Sequence, residues 1–262
     1  MALTIGLMCW NGKAMAKQTI SRANVELLSL LGKLTELRGG DTAGHALRVT
    51  VYTILFSRAL NLPLDVFLRA VEGALLHDVG KLVIPDRVIR KTGALTQEER
   101  REMEMHVLRG LEIIELSEML SGATNVVGYH HEHYDGSGYP HGVQGEEIPL
   151  EARVFALIDV FDALTSSRAY KPAFTVAEAL DTMTRERGSH FDPYLFDRFL
   201  EHAPAFAGRL AREESDLKAF LLGQLAPYLD VSGISYLRRR LLAGGDSERV
   251  PPSALEALDS TP

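Results

Sequence analysis

Residues 63–81, PLDVFLRAVEGALLHDVGK, constrain the fold more than any other stretch. Leu64, Leu68, Val71 and Leu75 recur every three or four residues, the period of a helix with one buried face. Pro63 stands where such a helix opens. The apolar run then ends on His77 and Asp78, so two polar side chains are carried to the edge of a core. A buried charge is costly unless it is paired or bound to a metal. Neighbouring helical residues point about 100° apart, so one centre can use both only near the helix end.

The same period runs along most of the chain. Residues 20–38 carry Leu27, Leu30, Leu31, Leu34 and Leu37, and residues 45–60 carry Val49, Tyr52, Leu55 and Phe56. The leucine stripe reads as ordinary core, and its spacing would also suit the seam of a homodimer. Thr96 with Glu99, and Thr175 with Glu178, have the spacing of capping boxes. The first predicts a helix through roughly residue 115. Asp192 and Pro193 read as the N-cap and first position of another. Alternating strand patterns are scarce, so the fold class is all-α. One compact helical domain is expected over residues 41–205, after an N-terminal helical or linker segment over 1–40. One or two further helices follow over 206–242. The tail 243–262 is poor in large apolar residues and is expected to be disordered.

Bulk properties exclude several classes. Hydrophobic residues make up 46% of the 262, enough for a sizeable core. The net charge of −7 gives no general basic footprint for nucleic acid, and Arg238, Arg239 and Arg240 form only a local run. The single cysteine, Cys9, forms no internal disulfide and suits a reducing, cytoplasmic setting. No stretch approaches the roughly 18 apolar residues of a membrane span. The opening MALTIGLMCW lacks a basic start and makes a poor signal peptide.

Ligand-type side chains recur beyond His77 and Asp78. Asp41 and His45 are four apart and share a helical face. His106 lies inside the helix that Thr96 caps. His130 and His131 end a short helix before the turn DGSGYP. Asp159 sits inside the apolar run VFALIDVF, where an unpaired carboxylate is disfavoured, and Asp162 follows on nearly the same face. Each alone reads as a satisfied core residue or an exposed one; jointly they point to a metal centre. Imidazole and carboxylate together suit iron, manganese, zinc or nickel, and an Asp among several His suits a site of two or three ions. Glu132, His133, His141, His190 and His202 are read as non-ligands.

In this order, the segments HDVGKLVIP, HHEHYDGSGYP and DVFDALTSSRAYK resemble the HD superfamily of metal-dependent phosphohydrolases, and more narrowly its HD-GYP branch. The resemblance covers about residues 41–200. It implies a helical HD domain that opens cyclic di-GMP. It implies metal ligands at His45, His77, Asp78, His106, His130, His131 and Asp159, with Asp78 bridging. Asp41 takes the place of a Glu that holds a third ion in some members. It also implies iron or manganese as the metal, with zinc, nickel or cobalt as alternatives. The signature turn falls on Gly138, Tyr139 and Pro140, the family lysine on Lys81, and the phosphate-binding pair on Arg168 and Lys171, with Ala169 in place of the usual proline.

The chemistry implied is phosphodiester hydrolysis to linear pGpG or GMP. Two ions about 3.5–4 Å apart lower the pKa of a bridging water, whose hydroxide displaces the ribose oxygen at phosphorus. Lys81 would place positive charge beside the scissile phosphate, and Arg168 and Lys171 would grip the others. Asp162 is better placed to orient a ligating histidine. Tyr139 would stand at the pocket mouth, against a guanine or ribose, or in a loop that docks a GGDEF-type diguanylate cyclase. The alternatives are hydrolysis of another nucleotide, such as cyclic GMP-AMP, and a non-catalytic receptor or scaffold.

Overall fold

The computed structural model describes residues 21–39, 43–167, 172–210 and 214–228. Expectations for the opening 20 residues, Asp41, Arg168, Lys171, the triple arginine and the tail fall outside the described residues.

The described residues are helical and hold no strand. In chain order the helices are α1 (Arg22–Gly39), α2 (His45–Ala59), α3 (Leu64–Leu76), α4 (Asp86–Ile89), α5 (Gln97–Glu104), α6 (His106–Glu115), α7 (Thr124–Tyr129), α8 (Leu150–Thr165), α9 (Val176–Thr184), α10 (Pro193–Leu210) and α11 (Glu214–Leu225), joined in places by 3-10 turns. Both capping boxes form, each with the threonine hydroxyl accepting from the glutamate N–H and the glutamate carboxylate accepting from the threonine N–H. Asp192 caps α10, its Oδ1 accepting from Tyr194 N–H at 2.9 Å and Leu195 N–H at 3.2 Å.

The core lies on two sides of α2 and α3. On one side Val25 and Leu28 of α1, Val51 and Ile54 of α2, Val71 and Leu75 of α3, and Leu217 and Leu221 of α11 pack together. On the other, Tyr52 and Phe56 of α2 meet Phe155 and Phe161 of α8 and Phe196 and Phe199 of α10. α2 is apolar almost all round because it is buried on both faces.

Two expectations are corrected. The face of α1 that enters the core is Val25, Leu28, Gly32, Thr35 and Glu36. Of the five leucines counted as core, Leu31 packs against it, but the other four face outward: Leu27 is 38% exposed, Leu30 55%, Leu34 45% and Leu37 70%. A leucine-rich helix has several apolar stripes, and the face that matched a smooth neighbouring surface won. The helix capped by Thr96 does not run through residue 115 either. It stops at Glu104, and His106 opens a new helix after Met105. α5 is polar all round and buries nothing, whereas α6 buries His106, Val107, Gly110 and Ile114. The break at Met105 separates a solvated helix from a core helix.

Candidate metal centre

Five elements deliver side chains to one place. His45 is the first residue of α2 and His106 the first of α6. His77 caps the C-terminus of α3, and Asp78 follows as the chain tightens into the 3-10 turn Val79–Val83. His130 caps the C-terminus of α7, with His131 next, and α8 brings Asp159 and Asp162. Helix ends suit this task, because adjacent residues there can turn toward one point.

The imidazoles are held in one tautomer by the backbone. His77 Nδ1 lies 3.0 Å from Ala74 O, His106 Nδ1 2.8 Å from Met103 O, and His130 Nδ1 3.0 Å from Val126 O. A carbonyl only accepts, so each Nδ1 carries the proton and donates. The Nε2 of each neutral ring then presents a lone pair to the interior. These lone pairs face one another, with His45 Nε2 3.3 Å from His77 Nε2 and His106 Nε2 3.4 Å from His130 Nε2. Two lone pairs at such distances repel unless a proton or a cation lies between them.

The ligand atoms fall into two groups, each spanning no more than 4.8 Å: His45, His77 and Asp78; and Asp78, His106, His130 and His131. Asp78 belongs to both. Its Oδ2 lies 3.1 Å from His77 Nε2, while its Oδ1 lies 3.4 Å from His106 Nε2 and 4.0 Å from His130 Nε2. One carboxylate thus turns one oxygen to each group, the disposition of a bridging ligand. Asp159 Oδ1 lies 3.4 Å from His45 Nε2 at the rim, its side chain 22% exposed. The donor set of imidazole nitrogens and a shared carboxylate fits two borderline divalent cations.

Electrostatics agrees with a demand for positive charge here. Burial disfavours charge on His77, but Asp78 and Asp159 outweigh it and raise the pKa to about 9. Burial likewise opposes the Asp78 carboxylate, yet Lys81, His77 and His106 hold it well below the usual range. Lys81 Nζ lies 2.6 Å from Asp78 Oδ2, so the lysine rests on the carboxylate. Burial and the neighbouring imidazoles keep His131 neutral down to about pH 3, and His130 is depressed for the same reasons.

Around this centre the structure adds partners. Asp162 Oδ2 accepts from His45 Nδ1 at 2.8 Å, and Asp162 also receives Arg48 Nε at 2.8 Å and Nη2 at 2.9 Å. Of the two aspartates of α8, Asp162 and not Asp159 is fully buried. Sequence reasoning missed Arg48; its signal was a cation in the first turn of an apolar helix, three residues after His45.

The GYP loop folds back on the ligands. Tyr139 stacks on His131, with ring centroids 4.7 Å apart and planes 23° apart, and its N–H donates to His131 O at 3.1 Å. The ring therefore lies against a histidine of the centre. Gly138 passes so close to the backbone of residues 131–133 that a Cβ would collide with it. Glu132 is buried, and its Oε1 accepts from His141 N–H at 2.6 Å and Gly142 N–H at 3.2 Å, tying the loop down. Nothing in the pattern HHEH distinguished this glutamate from a surface one. His133 meets Ser137 and His190, and His141 packs on Tyr129, all outside the two ligand groups.

The HD domain family matches residues 30–195, a span that includes every ligand of both groups. This chain belongs to the HD domain family. Its relatives narrow the placement to the HD-GYP branch. The cyclic di-GMP phosphodiesterase response regulator RpfG of Xanthomonas campestris is 42% identical over 178 residues, covering 67% of this chain and 47% of that protein. The 3'3'-cGAMP-specific phosphodiesterase 2 of Vibrio cholerae is 36% identical over 183 residues, covering 69% of this chain and 35% of that protein. This HD-GYP chain thus spans half or less of these relatives' length. The crystal structure of a cyclic GMP-AMP specific phosphodiesterase of V. cholerae matches the fold with a TM-score of 0.57 at 21% identity, covering 74% of this chain and 53% of the other. No helix among the described residues is long and apolar enough to cross a membrane.

Proposed function

We propose that this HD-GYP chain is a metal-dependent phosphodiesterase that hydrolyses the 3′–5′ phosphodiester of cyclic di-GMP to linear pGpG or GMP. The observation that carries the reading is Asp78, which turns one carboxylate oxygen to each of two histidine groups. Divalent cations held there, iron or manganese first among the candidates, would supply Lewis-acid charge at the phosphoryl oxygens and lower the pKa of an attacking water. His45, His77, Asp78 and Asp159 would hold one cation, and Asp78, His106, His130 and His131 the other. Asp41 is the residue on which a third would depend.

The remaining residues position and neutralise. Lys81 keeps Asp78 in its charged form. Asp162 fixes the ring of His45 so that Nε2 points inward. Tyr139, stacked on His131, covers one face of that imidazole. Arg168 and Lys171 remain the proposed grip on the substrate phosphates, and the loop at Gly138 and Pro140 the proposed docking place for a diguanylate cyclase.

A second reading, hydrolysis of cyclic GMP-AMP, is favoured by the 36% identity to a relative named for that substrate. The metal ligands do not read the base, so a substrate panel separates the two. Protein purified without oxygen and loaded with manganese or iron is given each cyclic dinucleotide, and products are identified by mass. Metal-dependent pGpG or GMP is the expected result. Asp78→Ala should lower turnover at least a hundredfold, and undiminished activity in that variant would sink the metal mechanism.

A further inference from the structure

α1 buries a carboxylate beside the metal centre. The side chain of Glu36 is only 5% exposed. Its Oε2 lies 3.2 Å from Lys33 Nζ, and its Oε1 has no hydrogen-bond partner among the described residues. A buried carboxylate oxygen without a donor is strongly disfavoured. Glu36 lines a cavity between α1, α2 and the end of α3, and the same cavity is lined by His45, His77 and Asp78.

Two anchors keep Glu36 there. Gly32 packs so tightly on Leu75 O of α3 that any Cβ would clash with it. Arg38 Nη2 donates to Ile84 O at 3.0 Å and pairs with Asp86 at 2.9 Å, just past the 3-10 turn Val79–Val83 that follows Asp78. α1 is thereby fixed to the elements that carry His77 and Asp78.

We propose that Glu36 is a further carboxylate of the metal centre. It faces the divalent cation of His45, His77 and Asp78 and reaches it through the cation's hydration water. The three ligand atoms group within 4.8 Å of one another without Glu36, so its part is to accept from that water and add negative charge. Its unpartnered Oε1 is the acceptor. This rests on reading those residues as a metal centre.

Calorimetric titration of the metal-stripped full chain with Mn2+ tests it. Glu36→Gln, which keeps the shape and removes the charge, is expected to weaken one Mn2+ binding step about tenfold. Glu36→Asp, which keeps the charge but is shorter by a methylene, should fall between it and the wild type. Asp78→Ala is the control. If Asp78→Ala binds Mn2+ like the wild type, the metal-centre reading itself falls. If Asp78→Ala loses Mn2+ while Glu36→Gln binds with wild-type affinity, the role of Glu36 alone is overturned, and a lowered thermal midpoint with unchanged affinity overturns it in favour of a purely structural carboxylate. Should Glu36→Gln not fold, the Glu36→Asp titration decides by the same criterion.

Discussion

Asp162 owes its place to two neighbours on another helix. Burial would raise its pKa, but the hydrogen bonds from His45 and Arg48 outweigh it and hold the carboxyl down at about 2. Asp162→Asn keeps the shape and removes the charge, taking away the carboxylate that the largely buried Arg48 holds through two nitrogens. We expect a loss of about 3–5 kcal/mol in urea unfolding at neutral pH. Mn2+ affinity should also fall roughly 10–100-fold, because a neutral amide holds and polarises the ring of His45 more weakly than the carboxylate does. Unchanged affinity would separate Asp162 from the centre. Glu72 of α3 shows the opposite case. Burial beside Gly122 raises its carboxyl from 4.5 to about 7. The folded state therefore binds the proton more tightly than the unfolded chain, and stability falls as pH rises from 4.5 through 7. Glu72→Gln should be more stable than the wild type by about 1–3 kcal/mol at pH 8, with the gain closing below roughly pH 4.5. Denaturant unfolding at both pH values checks the sign.

At the scale of elements, α1 turns on which of its faces is buried. Leu28 is 1% exposed and Leu34 45%. Leu28→Ala should cost about 2–5 kcal/mol, as a large-to-small change in a core does. Leu34→Ala should stay within about 0.5 kcal/mol. Equal losses would mean that the leucine stripe is covered in solution. Helix ends matter in the same way. α3 and α7 stop on histidines, and α2 and α6 begin on them. After the break at Met105, His106 opens α6 with its Nδ1 held by Met103 O.

For the whole molecule, the centre ties together both sides of the core. Its residues come from α2, α3, α6, α7 and α8, so any cation bound there cross-links folded elements and has no counterpart in the unfolded chain. Mn2+ at a hundred times its dissociation constant should add about 2.7 kcal/mol of stability. For a domain of this size that raises the thermal midpoint by roughly 5–10 °C. A chelator should reverse the shift, and Asp78→Ala should abolish it. A variant that keeps the full shift would place the cation elsewhere.

The sequence by itself determined the helical class, both capping boxes and the set of histidines and carboxylates that the structure gathers, since these depend on local spacing and on the cost of burying polar groups. It could not show which face of α1 enters the core, because several faces carry leucine and only a neighbour chooses among them. It could not show that Met105 breaks a helix, because the residues on either side favour helix equally. Nor could it assign Arg48 or Glu132, whose partners lie on another element or across a loop. Only the tertiary structure decided that Asp78 faces two histidine groups at once, since that requires the ends of α3 and α7 and the start of α6 to meet within a few ångströms.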